Sequence, residues 1–363
     1  MDAPVLDYMR KHGFKKVLLC NDTASGLRAV IAIHSTVLGP ATGGLRMWTY
    51  PDEQAAVFDA LRLARGMTYK YAAAGVNLGG GKAVIIGDPR TDKTEALLRA
   101  MGRMIDQLGG EYITGEDVGT TLDDMEMIYT ETEHVVTLPE HCGGAGDISP
   151  ATARGTIQAM RACCERVFGS PELEGRTVAL QGLGTVGFKA ARMLVEAGAA
   201  VTVCDIEDER VARAESELGV RSVSPGEIFD LEVDVFAPYA LGGVINDDTV
   251  ERFKVKVVAG AANNILAEER HGDALEAKRI VYAVDYVANS GGTIYDTDRY
   301  RKGGFQPERA MANVDRIYER TKEVFAIADA EKIPFYRAAD RLAEERIRAM
   351  EQVRLLERPE SPY

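Results

Sequence analysis

TVALQGLGTVGFKAARMLVEAGAAVTVCD, residues 177–205, runs from an apolar strand through a glycine-rich turn and a helical stretch into a second apolar strand that ends on an acid. A bare GxGxxG says little, because glycine is common. Here the strand before it, the helix after it and the acid closing the next strand are all present. Gly182 permits the tight turn, Gly184 lets backbone N–H groups approach a pyrophosphate, and Gly187 lets helix and strand pack closely. Thr185 and Val186 open the helix, whose N-terminus turns partial positive charge toward the phosphates. Asp205 can accept hydrogen bonds from ribose hydroxyls and would repel a 2′-phosphate, so the expected cofactor is NAD rather than NADP. The competing reading is an ordinary βαβ unit whose glycines serve packing alone.

A chain of 363 residues is long for one domain, and two is the natural expectation. With 46% hydrophobic residues it can fill sizeable cores. A net charge of −13 and a pI near 5.0 argue against nucleic acid or an anionic membrane as partner. No apolar run reaches bilayer length, and MDAPVLDYMRKHGFKKVLLC lacks a signal-peptide core. The five cysteines, Cys20, Cys142, Cys163, Cys164 and Cys204, are odd in number and lack zinc-type spacing, which suits a reducing cytoplasm and no metal. The neighbours Cys163 and Cys164 fall in a helical pattern and read as buried thiols.

The expected fold is α/β in two domains. An N-terminal α/β domain for substrate binding and oligomerisation spans 1–146 and regains a returning C-terminal helix, 333–363. A Rossmann-type NAD-binding domain spans 147–332, with a cleft between the two. In the first, KKVLLCND and LRAVIAIHST read as paired strands, 52–68 and 92–108 as helices, KAVIIG as a strand starting at Lys82, and YITGEDV and HVVTL as further strands. The glycine-rich loop HCGGAGDIS (141–149) reads as the linker. Beyond it come a helix over 150–168 and strand–helix alternation, with VDVFAPY, KVVAGAANN and IVYAVDYVANSGG as strands. Helices over 307–330 and 336–354 close the chain.

Lys82 follows three glycines and precedes AVII. A lysine between bare glycine and a buried strand is partly desolvated, and burial moves its pKa toward neutrality, where it can act as a base. A phosphate-binding P-loop is excluded, because Ala83 stands where that loop needs Ser or Thr; a plain surface lysine is the competing reading. Lys70, at the end of RGMTYK, either complements a helix dipole or anchors a carboxylate. Asp117, in ITGEDVGTT, either sits near an N-cap or handles protons and balances the lysines. Gly43 and Gly44 can present backbone N–H groups to an anion.

Together these motifs resemble the Glu/Leu/Phe/Val dehydrogenase family of amino-acid dehydrogenases, most closely its leucine branch. LGPATGGLRMWTY, DALRLARGMTYKYAAAGVNLGGGKAVIIGDPR, YITGEDVGTT, APYALGGVINDDT, AGAANN and AADRLAEERI match it in order over nearly the whole chain. The resemblance implies that Lys70 binds the substrate carboxylate and that Lys82 activates water and moves protons with Asp117. It implies that Gly43 and Gly44 line the substrate site, and that Asn263 and Thr152 lie near the nicotinamide. Ala240, in APYALGG, falls on the cofactor side. The chemistry implied is reversible: an L-amino acid, water and NAD give a 2-oxo acid, ammonium and NADH, in a homo-oligomer, dimer or octamer.

Three departures bear on the substrate. Thr42 stands where the leucine branch has an apolar residue, Thr293 and Asp296 replace pocket valines, and GGAGDIS, with Asp147, replaces GSSGNPS. An aliphatic pocket would not hold these groups unpaired, so a polar, basic or aromatic L-amino acid is the alternative substrate. Two further readings compete with an amino-acid dehydrogenase: an inactive NAD-binding regulatory paralogue and a 2-hydroxy-acid dehydrogenase. The two retained lysines speak against the first. The lack of a recognisable His–carboxylate motif at His134 or His141 speaks against the second.

Overall fold

The computed structural model describes residues 4–354. One unit takes the chain up to Gly146, Arg299–Phe305 and the chain from Ala343 onward; the other takes Asp147–Asp298 and Gln306–Leu342.

In the first unit α1 (Val5–His12) leads into β1 (Lys16–Asp22), β2 (Leu27–Ser35), β3 (Ala41–Thr42), β4 (Leu45–Trp48), α2 (Glu53–Ala73), β5 (Gly79–Ile86), α3 (Glu95–Asp106), β6 (Tyr112–Ile113) and α4 (Leu122–Tyr129). The sheet runs β1-β2-β5-β3-β6, with β4 also paired to β5. β1, β2 and β5 are antiparallel, and β3, β4 and β6 join in parallel. Both faces are covered, and the two-residue period shows which side chain serves which. Ala29, Ile31, Ile33, Ala83 and Ile85 enter one core with residues of α3 and α4; Val30, Ala32 and Val84 enter the other with α2. Lys82 therefore lies on the α2 face.

The strand of Lys82 starts at Gly79, three residues earlier than the sequence reading put it. The glycines are strand, not loop, because neighbouring backbone leaves no room for side chains. A Cβ on Gly79 would fall 2.0 Å from Ser35 O, and one on Gly80 2.1 Å from Thr68 Oγ1 and 2.2 Å from its nitrogen. HVVTL contributes one isolated bridge, Thr114 to Val135, rather than a strand.

The second unit holds α5 (Ser149–Phe168), β7 (Thr177–Gln181), α6 (Thr185–Glu196), β8 (Ala200–Cys204), α7 (Asp208–Leu218), β9 (Arg221–Ser222), β10 (Val235–Pro238), α8 (Asp247–Arg252), β11 (Val257–Val258), α9 (Arg270–Ala277), β12 (Val281–Tyr282), α10 (Asp285–Ala288), α11 (Gly291–Asp296), α12 (Pro307–Asp315) and α13 (Ile317–Glu331); α14 (Phe335–Arg354) runs on into the first unit. Its sheet is all parallel in the order β12-β11-β10-β7-β8-β9. The order reverses at β7 and β10, which puts the glycine turn after β7 at the topological switch point.

IVYAVDYVANSGG, read as a strand, is strand only over Val281–Tyr282 and then α10 and α11. Gly291 and Gly292 bring α11 against α5, where a Cβ would fall 2.1 Å from Ala151 O and 2.4 Å from Thr152 Oγ1. The expected helix over 307–330 is two helices, α12 and α13, meeting at Arg316. Within the first unit Arg346, on α14, donates to Tyr71 O (3.2 Å), Ala72 O (3.1 Å) and Val76 O (2.8 Å). That cation satisfies carbonyls at the C-terminal end of α2. Among the described residues no helix is long and apolar enough to cross a membrane.

Candidate active site

Lys82 is 4% exposed, and its Nζ lies 3.0 Å from Asp117 Oδ2. The same oxygen accepts from Arg46 Nε at 2.9 Å. Asp117 is held from behind, since its N–H donates to Thr120 Oγ1 (3.0 Å), which donates to Leu45 O (2.8 Å). Arg46 Nη1 donates to Asp59 Oδ2 (2.8 Å), which also accepts from Tyr50 OH (2.7 Å). Burial pushes the Lys82 ammonium below the ordinary lysine range, and Asp117 only partly offsets it. Burial pushes Asp117 upward, but Lys82 and Arg46 outweigh it and hold the carboxyl below its ordinary value.

Gly43 and Gly44 make this pairing sterically possible. A Cβ on Gly43 would fall 1.9 Å from Gly81 O, and one on Gly44 2.6 Å from Glu116 O and 2.7 Å from Asp117 Cβ. The expectation that Gly43 offers its N–H to an anion is corrected: that N–H donates to Ile113 O (3.1 Å), and Tyr112 OH donates to Gly43 O (2.6 Å). Thr42 is fully buried on β3, its hydroxyl 3.4 Å from Pro40 O. Lys70 lies half-buried in the last turn of α2.

In the second unit Gly182 adopts φ +99°, and a Cβ there would meet Ala240 N at 2.8 Å. A Cβ on Gly187 would fall 2.0 Å from Gly182 O, whereas one on Gly184 would meet nothing within 4 Å. Gly184 is the N-cap of α6 and offers no side-chain cap, so the N–H groups at Thr185 and Val186 open onto the space beside it. Asp205 accepts from Leu183 N (2.6 Å) and Glu207 N (3.0 Å), with Arg210 Nη1 at 3.6 Å. The carboxylate thus braces the glycine turn and retains lone pairs for further donors. Asn263 is exposed, and its Oδ1 accepts from Asn289 Nδ2 (2.8 Å). Asn289 Oδ1 is buried without a partner, an acceptor suited to a carboxamide or amine. Thr152, half-buried on α5, faces Gly292. These features fit a dinucleotide: an open glycine cradle at a helix N-terminus, an acid at the second strand's end and an orphaned acceptor.

Thr293 and Asp296 lie one turn apart on α11. Thr293 is half-buried and Asp296 3% exposed, so Asp296 is not solvated. Asp147 is engaged within its own unit: its carboxylate accepts from Ser149 N (2.9 Å) and Lys189 Nζ (2.5 Å). Away from Lys82, possible metal ligands of Glu126, His141 and Cys142 lie within 4.8 Å of one another. Sequence reasoning missed Arg46, Asp59, Tyr50, Thr120 and Asn289. The signal for Arg46 was an arginine alternating with the apolar Leu45 and Met47. Asn289 falls in a stretch whose composition suggests a strand end, whereas it follows α10.

Two family models cover most of the chain: the Glu/Leu/Phe/Val dehydrogenase dimerisation domain over residues 15–134, and Glutamate/Leucine/Phenylalanine/Valine dehydrogenase over 143–211 and 202–297. A leucine dehydrogenase of Geobacillus stearothermophilus is 54% identical over 96% of this chain and 94% of its own. A phenylalanine dehydrogenase of Caldalkalibacillus thermarum is 44% identical over 100% of this chain and 98% of its own. The crystal structure of L-tryptophan dehydrogenase from Nostoc punctiforme superposes with a TM-score of 0.85 at 41% identity, covering 96% of this chain and 99% of that one.

Gly44→Ala tests whether bare backbone sets the Lys82–Asp117 contact. The added methyl should push the Glu116–Asp117 backbone aside and stretch the pair beyond hydrogen-bonding distance. A crystal structure of the variant with the pair still at 3.0 Å would refute the steric account.

Proposed function

The chain belongs to the Glu/Leu/Phe/Val dehydrogenase family and is an NAD-dependent amino-acid dehydrogenase; from that premise we propose that Lys82 and Asp117 are its proton-handling pair, acting on a branched-chain aliphatic L-amino acid. The observation that carries this reading is the buried Lys82 ammonium, 3.0 Å from a carboxylate that holds it in place. A lysine depressed by burial is neutral in a larger fraction of molecules and can take a proton from water that adds to the substrate's α-carbon once hydride loss has made it an imine carbon. It returns that proton as ammonia leaves. Asp117 accepts from Lys82 and Arg46 through one oxygen, Oδ2, which leaves Oδ1 to the substrate's amino group. NAD, when bound, accepts the hydride from the α-carbon. Gly182, Gly184, Thr185, Val186, Gly187, Asp205 and Ala240 would hold its adenosine and pyrophosphate side, and Thr152, Asn263 and Asn289 its nicotinamide side.

Lys70 would bind the substrate carboxylate. The competing role, neutralising the C-terminal dipole of α2, is weakened because Arg346 already serves those carbonyls. A second reading keeps the reaction and changes the side chain. It is favoured by the placement of two polar side chains, Thr293 and Asp296, one turn apart on α11, where the resemblance puts pocket valines. Relatives named for leucine, phenylalanine and tryptophan share the fold, so pocket changes without loss of the reaction are feasible. We further propose a homo-oligomer, dimer or octamer, working in the cytoplasm, as the five free thiols suit.

Lys82→Ala should lower kcat by about two to four orders of magnitude with NAD affinity kept. A variant retaining half of wild-type kcat would end the assignment. Asp205→Ser should reduce the ratio of kcat/KM for NAD over NADP by roughly tenfold, the scale of one charge-assisted hydrogen bond; an unchanged ratio removes Asp205 from cofactor choice. Asp296→Val decides between the two substrates. If Asp296 faces the side chain, the variant should move kcat/KM toward leucine and away from 2,4-diaminobutyrate by about tenfold or more. A wild type that already prefers leucine, with a preference untouched by the substitution, leaves the aliphatic reading.

A further inference from the structure

We propose that Arg46 is a positioning residue for the deamination chemistry, clamping the Asp117 carboxylate against Lys82 through an anchor on Asp59. The inference rests on the proposed role of the Lys82–Asp117 pair and extends it to a residue that need not touch substrate. Arg46 pairs with Val84 across β4 and β5, one alternation from Lys82 on the same face of β5. Its neighbours Leu45 and Met47 are wholly buried in the opposite core. A charged side chain on the α2 face has to find partners there, and Arg46 finds two. Nε donates to Asp117 Oδ2 at 2.9 Å and Nη1 to Asp59 Oδ2 at 2.8 Å.

The planar guanidinium spans carboxylates from two different elements, α2 and the loop after β6, in one rigid fork. A lysine has no such geometry. Asp59 is itself fixed, since Oδ2 also accepts from Tyr50 OH (2.7 Å) and Oδ1 from Arg62 Nη2 (2.9 Å). The groups around the pair are therefore Arg46 from β4, Tyr50 from the following loop, Asp59 and Arg62 from α2, and Tyr112 from β6. A cavity of about 420 Å³ reaches Arg46, Tyr50 and Asp59 beside Trp48 and Val118, so a small solute can approach the clamp.

The signs of these charges make the proposal specific. Arg46 opposes protonation of Lys82, and Asp59 favours it. Removing the two charges singly should therefore move the acid limb of activity in opposite directions, which a merely structural role would not do. The assay is oxidative deamination by the full-length enzyme with NAD and its preferred L-amino acid across pH. Arg46→Gln should lower kcat by about tenfold or more, leave KM for amino acid and NAD within about threefold, and move the acid limb of kcat up by about half a unit or more. Asp59→Asn should move that limb down. Arg46→Lys should return the limb toward its wild-type position with only part of the rate, and millimolar guanidinium should restore part of the activity of Arg46→Ala through the cavity.

Limbs that move together, or an Arg46→Gln variant with kcat within twofold and an unmoved limb, would overturn the proposal. If Arg46→Gln does not fold, the downward limb of Asp59→Asn tests the sign and the partial rate of Arg46→Lys tests the fork; an unmoved limb in the first or full kcat in the second would overturn the proposal. A wild-type enzyme that forms no NADH with any amino acid would instead bring down the functional reading beneath it.

Discussion

A lysine ammonium buried in the middle of a sheet is the constraint on which the first unit depends. Taking that charge out of water is costly unless a partner is close and fixed. Lys82 has Asp117 at 3.0 Å, and the route to that distance is bare backbone. Gly43 yields to Gly81 O, Gly44 to Glu116 and Asp117, and Gly80 to α2. Glycines in two short segments thus serve one ion pair. The two partners contribute to stability with opposite signs. The folded-state pKa of Lys82 lies below its ordinary value, so protonated Lys82 costs stability below that folded pKa, and the cost is relieved as pH rises through it. Asp117 has the opposite sign: its depressed pKa contributes stability above the ordinary carboxylate range, lost as pH falls through the folded value. A destabilised cation and a stabilised anion in one contact form the arrangement that the proton-handling pair proposed above calls for.

The second unit carries a different constraint, a glycine turn at the switch point of its parallel sheet. Three glycines in one turn do three separate things. Gly182 takes a left-handed φ against Ala240, Gly187 packs onto the carbonyl of Gly182, and Gly184 borders open space. Only the last is unexplained by packing, and it is the position that the proposed cofactor role gives to the pyrophosphate. Asp205 closes the same turn by accepting from Leu183 N. The acid that would meet the ribose therefore also shapes the loop for the phosphates.

Sequence was informative where chemistry and spacing coincide. The glycine turn with its flanking strands and acid, the GMTYK, GGGK and EDVGTT motifs, and their order along the chain were enough for family, fold class, reaction and cofactor. It failed where tertiary contact decides the local state. Gly79–Gly81 look like a loop by composition, and become strand because β2, β3 and α2 crowd them too closely for side chains. VANSGG looks like the end of a strand, and becomes helix because Gly291 and Gly292 let α11 settle on α5. The availability of the Gly43 N–H could not be read at all, since its acceptor, Ile113 O, is far away in sequence.

Arg46 shows the same limit from the side of the site. In LRMW it reads as the exposed face of a half-buried strand, and nothing local says that its partners are Asp59 and Asp117. Only pairing of β4 with β5 and packing of α2 across that face bring the charges together. A buried carboxylate with one cation can share its proton with it, so the pair's charge distribution is soft. A second cation on the same oxygen, Arg46 beside Lys82, holds the carboxylate in its charged form. In the proposal above, the charge state of the pair is then set by a residue outside it, and motifs centred on Lys82 and Asp117 do not reveal that residue.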